Sequence, residues 1–268
     1  MTLSIRLSVS RLVNSFRRKG PVETLKSCAA ELEEIWFDRK FGVDTLETTS
    51  DRTQGLFAWM HPEYNLWYQP TKIWTLKRIF SDLQINYEDF IFLDLGSGKG
   101  RALLLASEFP FRRIIGVELI PELHAIAEKN IKAYRSTTQR CCAIESHCSD
   151  ATLYPVPTES TVLFFNNTLK TPAVSRLLTN LQDSMLNYPR QLYIVYKSVK
   201  LQGEDPRNPV CHDLMKKASF LESFRVTELY AIYKGKRSSA AVSSPEHEVV
   251  ERIGHASFHS VLGRSSNR

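Results

Sequence analysis

Asp94-Leu95-Gly96-Ser97-Gly98-Lys99-Gly100-Arg101 sits between an apolar run at 90–95 (FIFLDL) and a second apolar stretch at 102–106 (ALLLA). The first run has the length and composition of a buried strand, and the second that of a helix backed onto a sheet. A glycine turn therefore joins strand to helix. Gly96 and Gly98 allow a tight turn and let a ligand lie against the backbone, because no Cβ intervenes. The helix start beyond them offers unpaired N–H donors suited to a carboxylate or phosphate.

Working outward, short β-branched runs alternate with helical spacing. Strands are expected at 90–95, 113–119, 143–148, 161–165, 191–196 and 226–233, and helices at 72–83, 99–108, 121–136, 172–187 and 211–222. Pro121 stands at an expected first helical position. This alternation predicts right-handed β-α-β crossovers and an α/β fold with a doubly wound, mainly parallel sheet. Ligands of such sheets bind beyond the C-terminal strand ends.

Three ligand classes fit a glycine turn of this kind. A Walker A loop requires G-x-x-x-x-G-K-[ST], and here Gly100 follows Lys99 with no earlier glycine in place. A dinucleotide fingerprint prefers G-x-G-x-x-G, whereas this turn reads G-x-G-x-G behind an acid. S-adenosylmethionine accounts for the departures better. Around the backbone of Gly96, Ser97 and Gly98, Asp94 would order the loop and attract the cofactor's ammonium. Glu118 closes the second strand and can accept both ribose hydroxyls. Asp150 follows the third strand and is placed to accept from the adenine amino group. Capping or surface roles are the alternatives for each acid, and Lys99 and Arg101 read as solvated helix residues.

The fourth strand runs into Leu163-Phe164-Phe165-Asn166-Asn167-Thr168-Leu169-Lys170. This turn would face the reactive end of a ligand held by the first. Asn166 could orient an amine or help fix the cofactor's tail, with turn geometry as the alternative reason for the paired Asn. Displacement at a sulfonium methyl asks mainly for positioning.

DLGSGKGR, GVEL (116–119) and SDA (149–151) at these intervals resemble the class I, Rossmann-like, seven-strand S-adenosylmethionine-dependent methyltransferases across roughly 65–235. More narrowly, Trp67-Tyr68-Gln69-Pro70-Thr71, DLGSG, GVE and Phe165-Asn166-Asn167 are similar to the non-SET histone lysine methyltransferases of the "disruptor of telomeric silencing" type. The resemblance implies that Tyr68 and Thr71 form a loop over the cofactor and that Asn166 sits at the methyl-transfer channel. Thr168 and Leu169 stand where that family has an aromatic, and Gln69-Pro70 replaces a Gly-acid pair. FDRKFGVDT (37–45), DLGSGKGRALLLAS and FPFRRIIGVE also resemble a group of uncharacterised bacterial methyltransferases, which carry Asn-Pro-Phe after the fourth strand.

The 268 residues carry 35 Lys and Arg against 29 Asp and Glu, a net charge of +6. Residues 1–22 hold Arg6, Arg11, Arg17, Arg18 and Lys19 without an acid, and 234–268 add a net +3, so the body is net −2. Nucleic acid is accordingly not the expected partner. The five cysteines lack metal-like spacing, so no metal site is expected and reduced thiols are. No transmembrane helix is expected.

Four segments are expected: a basic amphipathic helix at 1–22, a helical cap and cofactor-lid loop at 23–71, the methyltransferase domain at 72–235, and a flexible basic tail at 236–268 that could add a last strand. The first helix reads as docked on the domain, as a mitochondrial transit-like sequence, or as a helix in contact with a membrane surface through 1–19. The expected location is cytoplasmic, with the mitochondrion as alternative. The expected reaction is N-methylation of a protein side-chain amine from S-adenosylmethionine, with a small-molecule acceptor as alternative. An NAD-binding oxidoreductase and a non-catalytic methyltransferase-fold scaffold are the readings from other classes.

Overall fold

A computed structural model describes residues 9–46, 60–64, 68–197 and 210–236. Residues 1–8, half of the aromatic stretch 57–68, Trp67 included, and the tail 237–268, with its expected strand, lie outside the described residues.

The described elements are α1 (Val9–Phe41), α2 (Ile73–Leu83), a 3-10 turn (Tyr87–Asp89), β1 (Ile91–Leu95), α3 (Arg101–Ala106), β2 (Arg113–Glu118), α4 (Pro121–Ala133), β3 (Ile144–Cys148), β4 (Thr161–Asn166), α5 (Thr171–Asn187), β5 (Leu192–Lys197), α6 (Val210–Lys217), β6 (Leu221–Val226) and β7 (Tyr230–Gly235). Helix α1 breaks at Gly20 (φ 79°), and Pro21, whose fixed φ suits a first helical position, restarts it. Helix α2 buries Ile73, Leu76, Ile79, Phe80 and Leu83, a single stripe at helical spacing.

The seven strands form one sheet in the order β3-β2-β1-β4-β5-β7-β6. The first five are parallel, while β7 is antiparallel to both β5 and β6. Because β1 is buried along its whole length, its sequence reads as a continuous apolar run rather than an alternation. One face of the sheet packs Phe92, Val162, Phe164 and Val195 against α2, α3 and Phe37 of α1. The other packs Leu93, Leu163, Phe165 and Ile194 against α5 and α6. Phe41 lies on Tyr134, with ring centroids 4.6 Å apart, which docks the C-terminal end of α1 beside α4.

One expectation fails. The chain at 211–236 was expected as a helix to 222 followed by a strand at 226–233, but the helix stops at Lys217 and a β6–β7 hairpin follows. Strand β6 lies at the sheet edge with five of its six residues exposed, so it shows no apolar alternation to read. Its strand state comes from pairing with the buried β7.

Candidate active site

The sheet reverses its winding between β2 and β4, on either side of β1, and the cleft opens there beyond the strand ends. With the space it shares with open solvent it spans about 590 Å³, and it is lined by Tyr68, Thr71, Asp94, Gly96, Ser97, Gly98, Arg101, Glu118, Asn166 and Thr168, among others. All the site residues expected from sequence line this cleft except Asp150.

Gly96 and Gly98 both hold left-handed backbone, at φ 83° and 55°. A Cβ on Gly96 would lie 2.3 Å from Thr168 Cγ2, and one on Gly98 would lie 2.5 Å from the Tyr68 ring. The turn thus carries Tyr68 on one flank and the β4 turn on the other, at a distance only glycine permits.

The two acids at the back of the cleft are buried. Burial, reinforced by the nearby Glu118 charge, holds the Asp94 carboxyl well above the usual carboxylate range. Burial also raises Glu118, although backbone N–H donors oppose it. Glu118 Oε2 accepts from Gly98 N at 2.7 Å and Oε1 from Ile120 N at 2.9 Å. Each oxygen keeps a second lone pair for an incoming hydroxyl.

Asp150 is placed differently. Its Oδ1 accepts from the Tyr64 hydroxyl, from Thr152 N at 2.7 Å and from Thr152 Oγ1 at 2.7 Å. Burial alone would raise this carboxyl, but those donors bring it below the ordinary value. The same pairing, after burial, pushes the Tyr64 hydroxyl up to about 12. Tyr64 is itself buried and bridges Leu169 just past β4, so 61–64 is stitched to the β4 turn. Lys170 N completes the join by donating to Glu63 O at 2.9 Å.

Lys99 and Arg101 correct the sequence reading, because both are only 2% exposed rather than solvated. Lys99 Nζ binds both carboxylate oxygens of Asp44, at 2.8 and 2.9 Å. Arg101 pairs through Nη1 with Glu34 and donates from Nε to Thr45 Oγ1 at 2.8 Å. Each partner lies more than fifty positions away in the chain, beyond the reach of local periodicity. Glu34, Asp44 and Thr45 were therefore missed as parts of the site. The one available signal, for Asp44 and Thr45, was the FDRKFGVDT segment.

Asn166 donates from Nδ2 to Gln69 O at 2.9 Å, which fixes the amide's orientation because a carbonyl can only accept. Its Oδ1 is left buried without a partner, as are Asp94 Oδ1, Ser97 Oγ and Arg101 Nη2 among the described residues. Buried polar atoms are ordinarily satisfied, so four orphans around one cleft point to a polar ligand. The set fits S-adenosylmethionine: the acceptor on Asp94 suits an ammonium, donors on Arg101 and Ser97 suit a carboxylate, and Glu118 suits a ribose diol.

The family model "Histone methylation protein DOT1" matches residues 64–190, a little under half of the chain. No curated protein matches the chain. Among solved structures it is similar to an RNA methyltransferase from Salinibacter ruber in complex with S-adenosyl-L-homocysteine, at 19% identity over 66% of this chain and 97% of that one (TM-score 0.42). A SAM-dependent methyltransferase from Aquifex aeolicus is similar at 16% identity, over 59% of this chain and 88% of that one (TM-score 0.42). A dimethyladenosine transferase from Plasmodium falciparum is similar at 14% identity over 61% of each chain (TM-score 0.41). Together with the match to the family model, the strand order, glycine turn and cleft make the chain a class I S-adenosylmethionine-dependent methyltransferase that resembles the DOT1 proteins over residues 64–190.

Proposed function

We propose that the protein methylates nitrogen, and that the acceptor is a protein side-chain amine. The observation that carries this reading is the Asn166 amide, locked by Gln69 O with its Oδ1 buried and free at the end of β4. A fixed neutral acceptor there takes an N–H from an incoming amine and turns the nitrogen lone pair toward the cofactor. S-adenosylmethionine supplies, when bound, an electrophilic sulfonium methyl that asks for a neutral nitrogen in line. The chain's part is positioning: an amine that enters neutral, its ammonium proton already lost to solvent, needs no strong base beside the nitrogen. Thr71 and Tyr68 would close over the bound cofactor, Asp94 and Arg101 would hold its amino-acid tail, and Glu118 would hold its ribose. The description of the matched family, histone methylation, supports a protein acceptor.

A small-molecule acceptor is the second reading, favoured by Thr168, which lines the cleft where the resembling family has an aromatic. Transfer of a radiolabelled methyl from S-adenosylmethionine into a fractionated lysate separates the two. Label in protein that acid hydrolysis recovers as N-methylated amino acid supports the first. Label confined to the small-molecule fraction overturns it in favour of the second, and label in nucleic acid overturns both.

A further inference from the structure

We propose that Glu34, Asp38 and Thr45 are positioning residues of the cofactor site. From the first helix and the strap after it, they hold the Arg101 guanidinium so that its free Nη2 serves the carboxylate of the cofactor's amino-acid tail. The inference rests on the S-adenosylmethionine reading of the cleft.

Arg101 is 2% exposed and lines the cleft. A guanidinium so far from water needs compensation by charge and hydrogen bonds, or it is strongly unfavourable. Glu34, 6% exposed, supplies the charge: one carboxylate oxygen meets Arg101 Nη1, and the other accepts from Ile73 N at 3.0 Å. The carboxylate is thereby anchored to the first residue of α2 and cannot follow Arg101 if the guanidinium rotates. Thr45 Oγ1 accepts from Arg101 Nε at 2.8 Å and donates to Asp38 Oδ1, which uses its single proton and fixes its lone pairs. Asp38 Oδ2 in turn accepts from the backbone N–H groups of Thr45 at 2.8 Å and Leu46 at 3.0 Å.

Two of the three nitrogens of the planar fork are therefore held from the α1 side, and the third, Nη2, is left buried without a partner among the described residues, in a residue that lines the cleft. The rigid fork means that fixing Nε and Nη1 fixes Nη2 as well. Thr45 also braces the opposite flank of the turn, since its carbonyl accepts from the Tyr68 hydroxyl at 2.8 Å. Beside it, Asp44 takes Lys99 and is pinned by Asn130, whose Nδ2 also donates to Lys99 O at 2.8 Å. One strap thus sets both side chains that flank the glycine turn.

A purely structural role for this network predicts something different, and two ligands tell the roles apart. S-adenosylhomocysteine carries the amino-acid tail, whereas 5′-methylthioadenosine keeps adenine and ribose but lacks the tail. Binding of both is measured by calorimetry on the full-length protein and its Glu34→Gln variant, well below each melting temperature. Loosening the fork should weaken S-adenosylhomocysteine by roughly tenfold or more, the worth of a charge-assisted hydrogen bond. Binding of 5′-methylthioadenosine should stay at the wild-type level. Should Glu34→Gln fail to fold, Thr45→Val carries the same comparison, because it removes the Nε acceptor and leaves the ion pair. Equal weakening of both ligands, or of neither, overturns the inference while leaving the cofactor reading intact. Failure of the wild-type protein to bind S-adenosylhomocysteine overturns the cofactor reading itself.

Discussion

The turns after β1 and β4 face each other across the same cleft and are built by opposite means. The β1 turn is braced by charges: the buried Lys99 and Arg101 reach the half-exposed Asp44, just after α1, and the buried Glu34 on α1, and Glu118 holds the Gly98 amide. The β4 turn is held by neutral groups, chiefly Asn166 against Gln69 O, and turns at Asn167 with φ 51°. A charge pair taken out of water, as Arg101–Glu34 is, tolerates little rearrangement, because removing one partner strands the other. Neutral turn residues can be exchanged at lower cost. The cofactor side is therefore over-determined, while acceptor choice is left to residues such as Thr168, whose side chain meets Gly96 where the two turns touch.

The largest expected effect breaks that point of contact. In Gly96→Ala the new Cβ meets Thr168, and the left-handed backbone by itself costs roughly 1–2 kcal/mol for a residue with a Cβ. Calorimetry should find no measurable binding of S-adenosylhomocysteine. Adding Thr168→Gly should recover only part of it, since the dihedral cost remains.

Next comes the β4 side alone. Asn166→Ala should lower methyl transfer, followed by radiolabel, about a hundredfold through misplacement of the acceptor. Binding of S-adenosylhomocysteine should survive, which separates the two turns functionally. Loss of binding and transfer together would make Asn166 part of the cofactor grip instead.

The charged side should also respond to pH. Burial and Glu118 raise the folded-state Asp94 carboxyl, so this group favours the folded protein at low pH, and that contribution is lost as pH rises through its raised folded value. A ligand ammonium prefers the ionised carboxylate. Binding should then release a proton and tighten with rising pH, by at most about tenfold per pH unit for one linked proton, until Asp94 is ionised in the free protein. Calorimetry in buffers of different ionisation enthalpy measures the release; uptake, or no exchange, would remove Asp94 from the ammonium site.

The smallest effect is expected from Tyr64→Phe, which deletes the hydroxyl on Asp150 and spares the lining residues. Urea unfolding should show a loss of about 1 kcal/mol, the worth of one hydrogen bond. Cofactor affinity should hardly move. A large drop would bring Asp150, through its Tyr64 tether, into the cofactor site.

Much of the fold was legible in the chain because buried parallel strands are continuous apolar runs, and β1, β2, β4 and β5 all stand within two residues of their expected limits. The edge strand β6 was not legible, since nothing in its own composition asks for a strand. Asp94, Glu118 and Asn166 were recognisable as strand-end residues and do line one cleft. Asp150 stood at an equivalent strand end, but whether such an acid faces the ligand or a neighbour such as Tyr64 depends on a loop from another part of the chain.

The sequence by itself determined the strand–turn–helix unit, the glycine backbone at its centre and the class of ligand, because these follow from local periodicity and from what a residue without a Cβ allows. Only the tertiary structure decided that Lys99 and Arg101 are buried, which acids neutralise them, and which way the Asn166 amide faces. Those outcomes depend on charges and carbonyls brought from fifty or more residues away, and the strength of such pairings is set by exclusion of water, which no linear pattern records.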